Sequence, residues 1–287
     1  MKKLRRSARL VEMTQYLLAR PHMLISLSAF SERYRSAKSS ISEDLAIVRE
    51  VFETEGIGEL RTYSGAAGGV RFVPRMRPDR ALERIGGVCR QLEDPDRLLP
   101  GGYLYMADLL GEPSLLRDTG LMFATAFAGL EPDAIVTVET KGIPLACATA
   151  QFLNVPVVIA RRDQKVTEGS TVSINYVSGS SKRIQTMSLA RRALKEGSRV
   201  LIIDDFMKAG GTIRGMIDLL GEFRAVVGGV GVFVESGAVG AGERLLSDYV
   251  SLARLEEVDE KNRLVRVRPG NFFDSPEFSR FRENKPE

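Results

Sequence analysis

Arg199-Val200-Leu201-Ile202-Ile203-Asp204-Asp205-Phe206-Met207-Lys208-Ala209-Gly210-Gly211-Thr212 is the stretch of this 287-residue chain that decides its fold. An unbroken apolar run reads as a strand buried on both faces, as in a parallel sheet, and Gly215-Met216-Ile217-Asp218-Leu219-Leu220 carries a helix beyond the loop. Strand, glycine loop and helix together suit an anion: backbone amides freed by Gly210 and Gly211 close around a terminal phosphate. Thr212 adds a hydroxyl, and the helix N-terminus adds partial positive charge. Asp204 and Asp205, at the carboxyl end of the strand, are pure acceptors when ionised and match vicinal ribose hydroxyls, which donate. The bland alternative is a strand-turn-helix that merely carries two acids, but adjacent acids at a buried strand end are costly without a use.

The pattern repeats on either side. Ala134-Ile135-Val136-Thr137-Val138 reads as a second parallel strand, followed by Glu139-Thr140-Lys141-Gly142 and a helix through Phe152. Pro156 to Ala160 is another strand, running into Arg161-Arg162-Asp163-Gln164-Lys165, and a polar stretch through Tyr176, Lys182 and Arg183 alternates weakly like a protruding hairpin. Ala225 to Val234 and Tyr249 to Leu252 supply further strands, and Leu104 to Leu109 is expected to extend the sheet at its edge. The body is therefore α/β with a mainly parallel sheet, binding its ligand at the carboxyl ends of the strands. Phe281 to Glu287 is expected to be disordered.

Composition removes several functional classes. With 44% hydrophobic and 27% charged residues, the chain falls in the globular range and is long enough for two cores. No stretch approaches the roughly 20 apolar residues of a membrane span, and MKKLRRSARL lacks the apolar core of a signal peptide, so a cytoplasmic location is expected. One histidine, His22, and two distant cysteines, Cys89 and Cys147, give no basis for a histidine-based metal site, a Ser-His-Asp triad or a clustered thiolate site.

The net charge of +4 is unevenly distributed. Residues 1–75 hold 13 lysines and arginines against 8 acids, and residues 76–287 hold 28 against 29. A basic head on a neutral body points to a polyanionic partner for the head. From Ser7 to Leu18 apolar residues recur at helical spacing until Arg20-Pro21. Leu27, Phe30 and Tyr34 mark a second helix capped by Ser26, and Ile41, Leu45, Val48 and Phe52 stripe a third. Two helices around a tight turn fit a helix-turn-helix as well as an ordinary three-helix bundle. In the first case Ser36, Lys38, Ser39, Ser40 and Ser42 face the major groove of DNA. Glu59 to Tyr63 and Val70 to Val73, joined by a glycine-rich turn, add a hairpin carrying Arg61 and Arg71, which completes the order of a winged helix and favours DNA binding. Pro74 and Pro78 then bracket a stiff, basic linker.

The Asp204–Thr212 segment resembles the phosphoribosyl pyrophosphate (PRPP) motif of type I phosphoribosyltransferases, and Glu139-Thr140-Lys141-Gly142 resembles their pyrophosphate loop. That resemblance implies that Asp204 and Asp205 hold the ribose and that Ala209, Gly210, Gly211 and Thr212 hold the 5′-phosphate, with Phe206, Met207 and Lys208 between them. It further implies that Lys141 faces a diphosphate bridged by Mg²⁺, and that Arg161, Lys165, Tyr176 and Lys182 belong to a loop closing over the ligand. Ala209 stands where the transferases often have threonine.

A winged helix over 1–74 fused to such a body over 75–287 resembles the purine operon repressors of Gram-positive bacteria along nearly the whole chain. The resemblance implies a homodimer on double-stranded operator sites, repression of purine biosynthesis and transport genes, PRPP as inducer, and no transferase activity. An active purine phosphoribosyltransferase with an accessory head is the alternative reading. Purine nucleotides with a diphosphate on ribose, guanosine alarmones among them, have the chemistry to compete with PRPP. No metal site of the protein's own is expected.

Overall fold

In the computed structural model the described residues are 4–65, 68–163, 166–177, 184–237 and 244–274. The chain opens with α1 (Arg6–Leu18), a short strand β1 (Leu24–Ile25), α2 (Leu27–Tyr34) and α3 (Lys38–Thr54), then the hairpin β2 (Gly58–Tyr63) and β3 (Gly69–Pro74). Ser26 caps α2 by accepting the Ala29 N–H at 3.1 Å. β1, absent from the sequence reading, pairs with β3 and extends the wing to three antiparallel strands in the order β1-β3-β2. Met13, Leu17, Phe30, Ile41, Phe52 and Phe72 form the core of this head. Full burial of side chains this size contributes about 1.5–3 kcal/mol each. The Phe52 and Phe72 rings meet at 4.9 Å, locking α3 onto the wing, and the Arg49 guanidinium donates to the Leu60 carbonyl at 3.2 Å across the same joint.

A charge sits inside the head. Asp44 of α3 is wholly buried and accepts from Arg9 and, at 3.0 Å, from Arg6, both on α1. Arg9 also donates to Ser36 Oγ at 3.1 Å, so one guanidinium pins the turn between α2 and α3.

Only Arg75, Met76 and Arg77 separate β3 from α4 (Pro78–Leu92). Pro78, expected to stiffen a linker, opens this helix, where its missing N–H is no loss. Met76 is buried and its N–H is donated to Thr125 Oγ1 at 2.8 Å. The tiny hairpin β4 (Leu98–Leu99) and β5 (Tyr103–Leu104) follows, then α5 (Pro113–Ala126). The expected edge strand over Leu104–Leu109 is not formed. β5 pairs with β4 in a sheet of two, and Leu109 enters a 3₁₀ turn with Leu109 and Leu110 buried.

The main sheet takes β6 (Ala134–Val138), then α6 (Gly142–Leu153) and β7 (Val157–Ala160). A separate hairpin, β8 (Thr171–Val177) with β9 (Ile184–Ala190), precedes β10 (Arg199–Met207), α7 (Gly211–Gly221), β11 (Val226–Ser236), β12 (Val250–Asp259) and β13 (Leu264–Pro269). The strand order is β13-β12-β11-β10-β6-β7, parallel except for β13, which returns antiparallel along β12 as an edge that was not foreseen. Alternate residues of β10 serve opposite faces. Leu201 and Ile203 join the core beneath α6, while Val200 and Ile202 join the core beneath α7. Because β6 leads to one face and its neighbour β10 to the other, their loops part at the carboxyl ends and leave a crevice between them.

Candidate functional site

The crevice is a cleft of about 380 Å³, lined by residues 138–141, Arg162 and residues 204–213, with Tyr103, Leu104 and Met106 on its remaining side. Asp204 is buried, and its Oδ1 accepts the Asp205 N–H at 3.0 Å. Burial, and then the neighbouring Asp205 carboxylate, push the Asp204 acid well above the ordinary carboxylate range. Burial raises Asp205 as well, against the attraction of the Lys141 ammonium. Hydroxyl donors entering the cleft would offset the cost of ionising these two acids at the strand end.

Beyond them Gly210 adopts φ +89° and caps α7, a conformation that strains any residue with a Cβ. The Arg214 N–H closes the first helical turn onto the Gly210 carbonyl at 2.8 Å. The amides of the turn itself have no partner within the helix, an arrangement suited to an anion. The loop is braced from behind, where the Leu245 N–H is donated to the Ala209 carbonyl at 2.9 Å.

On the facing loop the Glu139–Thr140 peptide is cis. Gly142 lies so close to β10 that a Cβ there would stand 2.3 Å from Thr137 Oγ1 and 2.9 Å from Asp204 Oδ1, so glycine is what lets the two loops meet. Thr140 and Lys141 are exposed at the cleft mouth. Burial raises the Glu139 acid, but the Arg162 N–H donated to it at 2.7 Å and the Arg161 guanidinium at 3.3 Å outweigh this and hold it below its usual range.

The structure thus gathers Glu139, Thr140, Lys141 and all of Asp204 to Thr212 around one space, with Gly142 beneath it. Two expected residues are placed otherwise. Arg161 is turned onto Glu139 and Glu168, while the adjacent Arg162 lines the cleft. Successive residues leaving a strand point to opposite sides, a parity that the basic run does not reveal. Tyr176 is a core residue packed on Gly215 of α7, with its hydroxyl donated to Gln185 Oε1 at 2.8 Å. Lys165 and Lys182, like Phe281 to Glu287, lie outside the described residues. Tyr103, Leu104 and Met106 were missed as lining residues because an isolated two-residue strand leaves no periodicity to read.

In the head, Lys38, Ser39 and Ser42 are exposed on the first turns of α3, and Ser40 is half-buried. Ser36 is instead held by Arg9 and itself donates to the Tyr34 carbonyl at 3.2 Å, a fastening of the turn. Arg61 is exposed and paired with Glu59 at 2.8 Å. Arg71, its cross-strand partner, faces the body and donates to Glu131, so it belongs to the joint between head and body. Arg5 and Arg6 add exposed charge at the start of α1. Among the described residues no helix is long and apolar enough to cross a membrane.

Residues 5–74 match the family described as the N-terminal part of the bacterial purine repressor, and residues 119–262 match the phosphoribosyl transferase domain. Over 270 residues, 94% of both chains, the protein is 60% identical to the purine biosynthesis transcriptional repressor PurR of Bacillus subtilis. The chain belongs to the bacterial purine repressor family. The relatives of this purine repressor include proteins of the opposite regulatory sign: a Lactococcus lactis protein, 45% identical over 94% of this chain and 99% of its own, is a purine biosynthesis transcriptional activator. The body also superposes on the adenine phosphoribosyltransferase of Rhodothermus marinus with a TM-score of 0.52 and 25% identity, covering 61% of this chain and 98% of that one. The purine repressor therefore carries a transferase-type fold behind its head.

Proposed function

We propose that this purine repressor binds double-stranded operator DNA through residues 1–74 and represses genes of purine biosynthesis and transport. In this reading PRPP, bound by residues 75–287, lowers its affinity for the operator. The observation that carries the effector assignment is the convergence of buried Asp204, half-buried Asp205, the α7 N-terminus and Lys141 on one cleft. Each part matches one part of PRPP. Ribose hydroxyls donate to Asp204 and Asp205, the 5′-phosphate meets residues 209–212, and the diphosphate meets residues 139–142 with Arg162.

Among the described residues no three acids, cysteines or histidines are grouped to cage a metal ion. Mg²⁺ accompanying the diphosphate would be held beside the Asp205 carboxylate, which lines the same cleft, and would neutralise part of the ligand charge. Purine nucleotides bearing a diphosphate on ribose, guanosine alarmones among them, compete for the same loops. The protein acts as a homodimer, and its body has no transferase activity. Similarity to regulators along the whole chain supports a regulator over the alternative of an active purine phosphoribosyltransferase with an accessory head.

PRPP relieves repression only if it binds the DNA-free protein better than the DNA-bound one, and a tenfold release corresponds to about 1.4 kcal/mol of that difference. Titration of the protein on duplex DNA from upstream of purine genes, with and without PRPP and Mg²⁺, tests the reading. Release by PRPP at concentrations where ribose 5-phosphate has no effect is expected. Equal affinity with and without PRPP would remove the inducer assignment. The activator in the family gives a second reading of sign, and transcription in vitro from the same DNA separates the two.

A further inference from the structure

β6 and α6 share both of their ends. β6 runs up to Val138 and the 139–142 loop of the cleft, and α6 starts from that loop at Gly142. At the opposite end, β6 begins just after Glu131 and Pro132, and α6 finishes at Leu153 beside Asn154. Glu131, Pro132, Leu153 and Asn154 meet His22 and Arg71 of the head around a second cavity, of about 250 Å³. One strand-helix unit therefore has one end in the effector cleft and the other against the wing.

The far end is tightly specified. The Arg71 guanidinium on β3 donates to the Glu131 carboxylate. Glu131, Asn154 and His22 all hold positive φ, at +47°, +56° and +60°; asparagine and histidine enter this region readily, Asn154 as the cap of α6, whereas Glu131 needs its surroundings to hold it there. The His22 N–H is donated to the Phe72 carbonyl at 2.8 Å, tying the turn to the strand that carries Arg71. Between the two ends β6 is buried along its whole length, with β10 and β7 on its flanks. It can shift only as a body, because a packed interior does not deform continuously.

We propose that the β6–α6 unit reports occupancy of the cleft to the DNA-binding head, with the Arg71–Glu131 ion pair as its grip on the wing. The proposal rests on the effector reading above. Closure of the 139–142 loop on a diphosphate moves the near end of the unit, and the far end re-aims β3 and the helices packed on it. A half-exposed ion pair adds little stability. It controls the head because it has a partner in one arrangement and loses it in the other.

The test uses the full chain, an operator duplex, and PRPP with Mg²⁺. Two quantities are read: the ratio of operator affinities without and with saturating PRPP, and amide hydrogen exchange over residues 139–154 with and without operator. Glu131→Gln is expected to leave PRPP affinity in the absence of DNA within about twofold and to shrink the release ratio by about threefold or more, within the range of ordinary coupling energies. The exchanged pair Arg71→Glu with Glu131→Arg is expected to restore the ratio. Operator binding should alter exchange at 139–142 in the parent and not in Glu131→Gln.

Where PRPP does release the parent from DNA, a release ratio unchanged by Glu131→Gln overturns the proposal, and so, with or without release, does the absence of an operator-dependent change in exchange in the parent. If PRPP fails to release the parent from DNA while the exchange response is present and is lost in Glu131→Gln, the unit stands and the inducer assignment falls.

Discussion

Replacing Asp204 by asparagine should weaken PRPP binding and at the same time make the effector-free protein more stable. The side chain is buried, and asparagine keeps an acceptor for the Asp205 N–H while removing the charge. A hydrogen bond to a charged acceptor contributes about 1.5–3 kcal/mol, against about 0.5–1.5 for a neutral one. The loss on going to asparagine is therefore about 1 kcal/mol, roughly fivefold in PRPP affinity, and Asp204→Ala should lose about one to two orders of magnitude. Stability moves the other way because burial, and then Asp205, raise the acid above its unfolded value. The folded state then holds its proton more readily than the unfolded state, so stability is lost as pH rises above the ordinary carboxylate range, and asparagine escapes that loss. Relieving a buried, poorly compensated group is worth about 1–3 kcal/mol, which in a protein of this size raises Tm by several degrees. The Tm advantage should grow as pH rises above the ordinary carboxylate range and close on acidification towards pH 4. Calorimetric titration with PRPP and thermal melts across that range measure both effects. A variant with lower Tm and weaker operator binding would make Asp204 a structural acid, and unchanged release from DNA in a folded variant would remove the sensor site.

Asp44→Ala leaves Arg9 buried without its carboxylate, which costs about 3–5 kcal/mol, so operator binding should collapse through unfolding of the head, seen as an early melting transition. Lys38→Ala should instead preserve Tm and lower operator affinity while reducing the slope of log affinity against log salt by about 0.9; an unchanged slope would take Lys38 off the phosphates. His22 is held below its usual pKa by burial and then by Arg71, with Glu131 opposing and Arg61 adding to the effect. A lowered histidine pKa means the unfolded state takes the proton first, so stability is lost as pH falls below about 6.5. His22→Asn, which tolerates the positive φ, should flatten that part of the Tm profile, and a parallel profile would refute the assignment. PRPP, Mg²⁺ and each common nucleobase should yield no nucleotide, and turnover abolished by Asp205→Ala would make the body an enzyme.

Much of this protein is local in sequence and therefore legible there. The run from Arg199 to Thr212 fixes strand, acid pair, phosphate loop and helix within fourteen residues, because each depends on its neighbours' periodicity and on glycine's freedom. The stripe Ile41, Leu45, Val48 and Phe52 likewise gives α3 and its buried face, and the basic excess of the first 75 residues points at a polyanion.

Side-chain direction at the end of a strand, and contacts between distant segments, were not legible in this way. Arg161 and Arg162 are equivalent as letters, yet only the second lines the cleft, because the first is spent on Glu139. Tyr176 looked available in a polar hairpin and is core, since β8 packs on α7 at Gly215. Arg71 looked like a wing contact for DNA and instead crosses to Glu131, sixty residues away. The sequence by itself determined which chemistry the chain carries, since propensity, spacing and charge are properties of short windows. Only the tertiary structure decided where that chemistry points, because a side chain's partner is set by packing among elements whose order along the chain does not encode their separation in space.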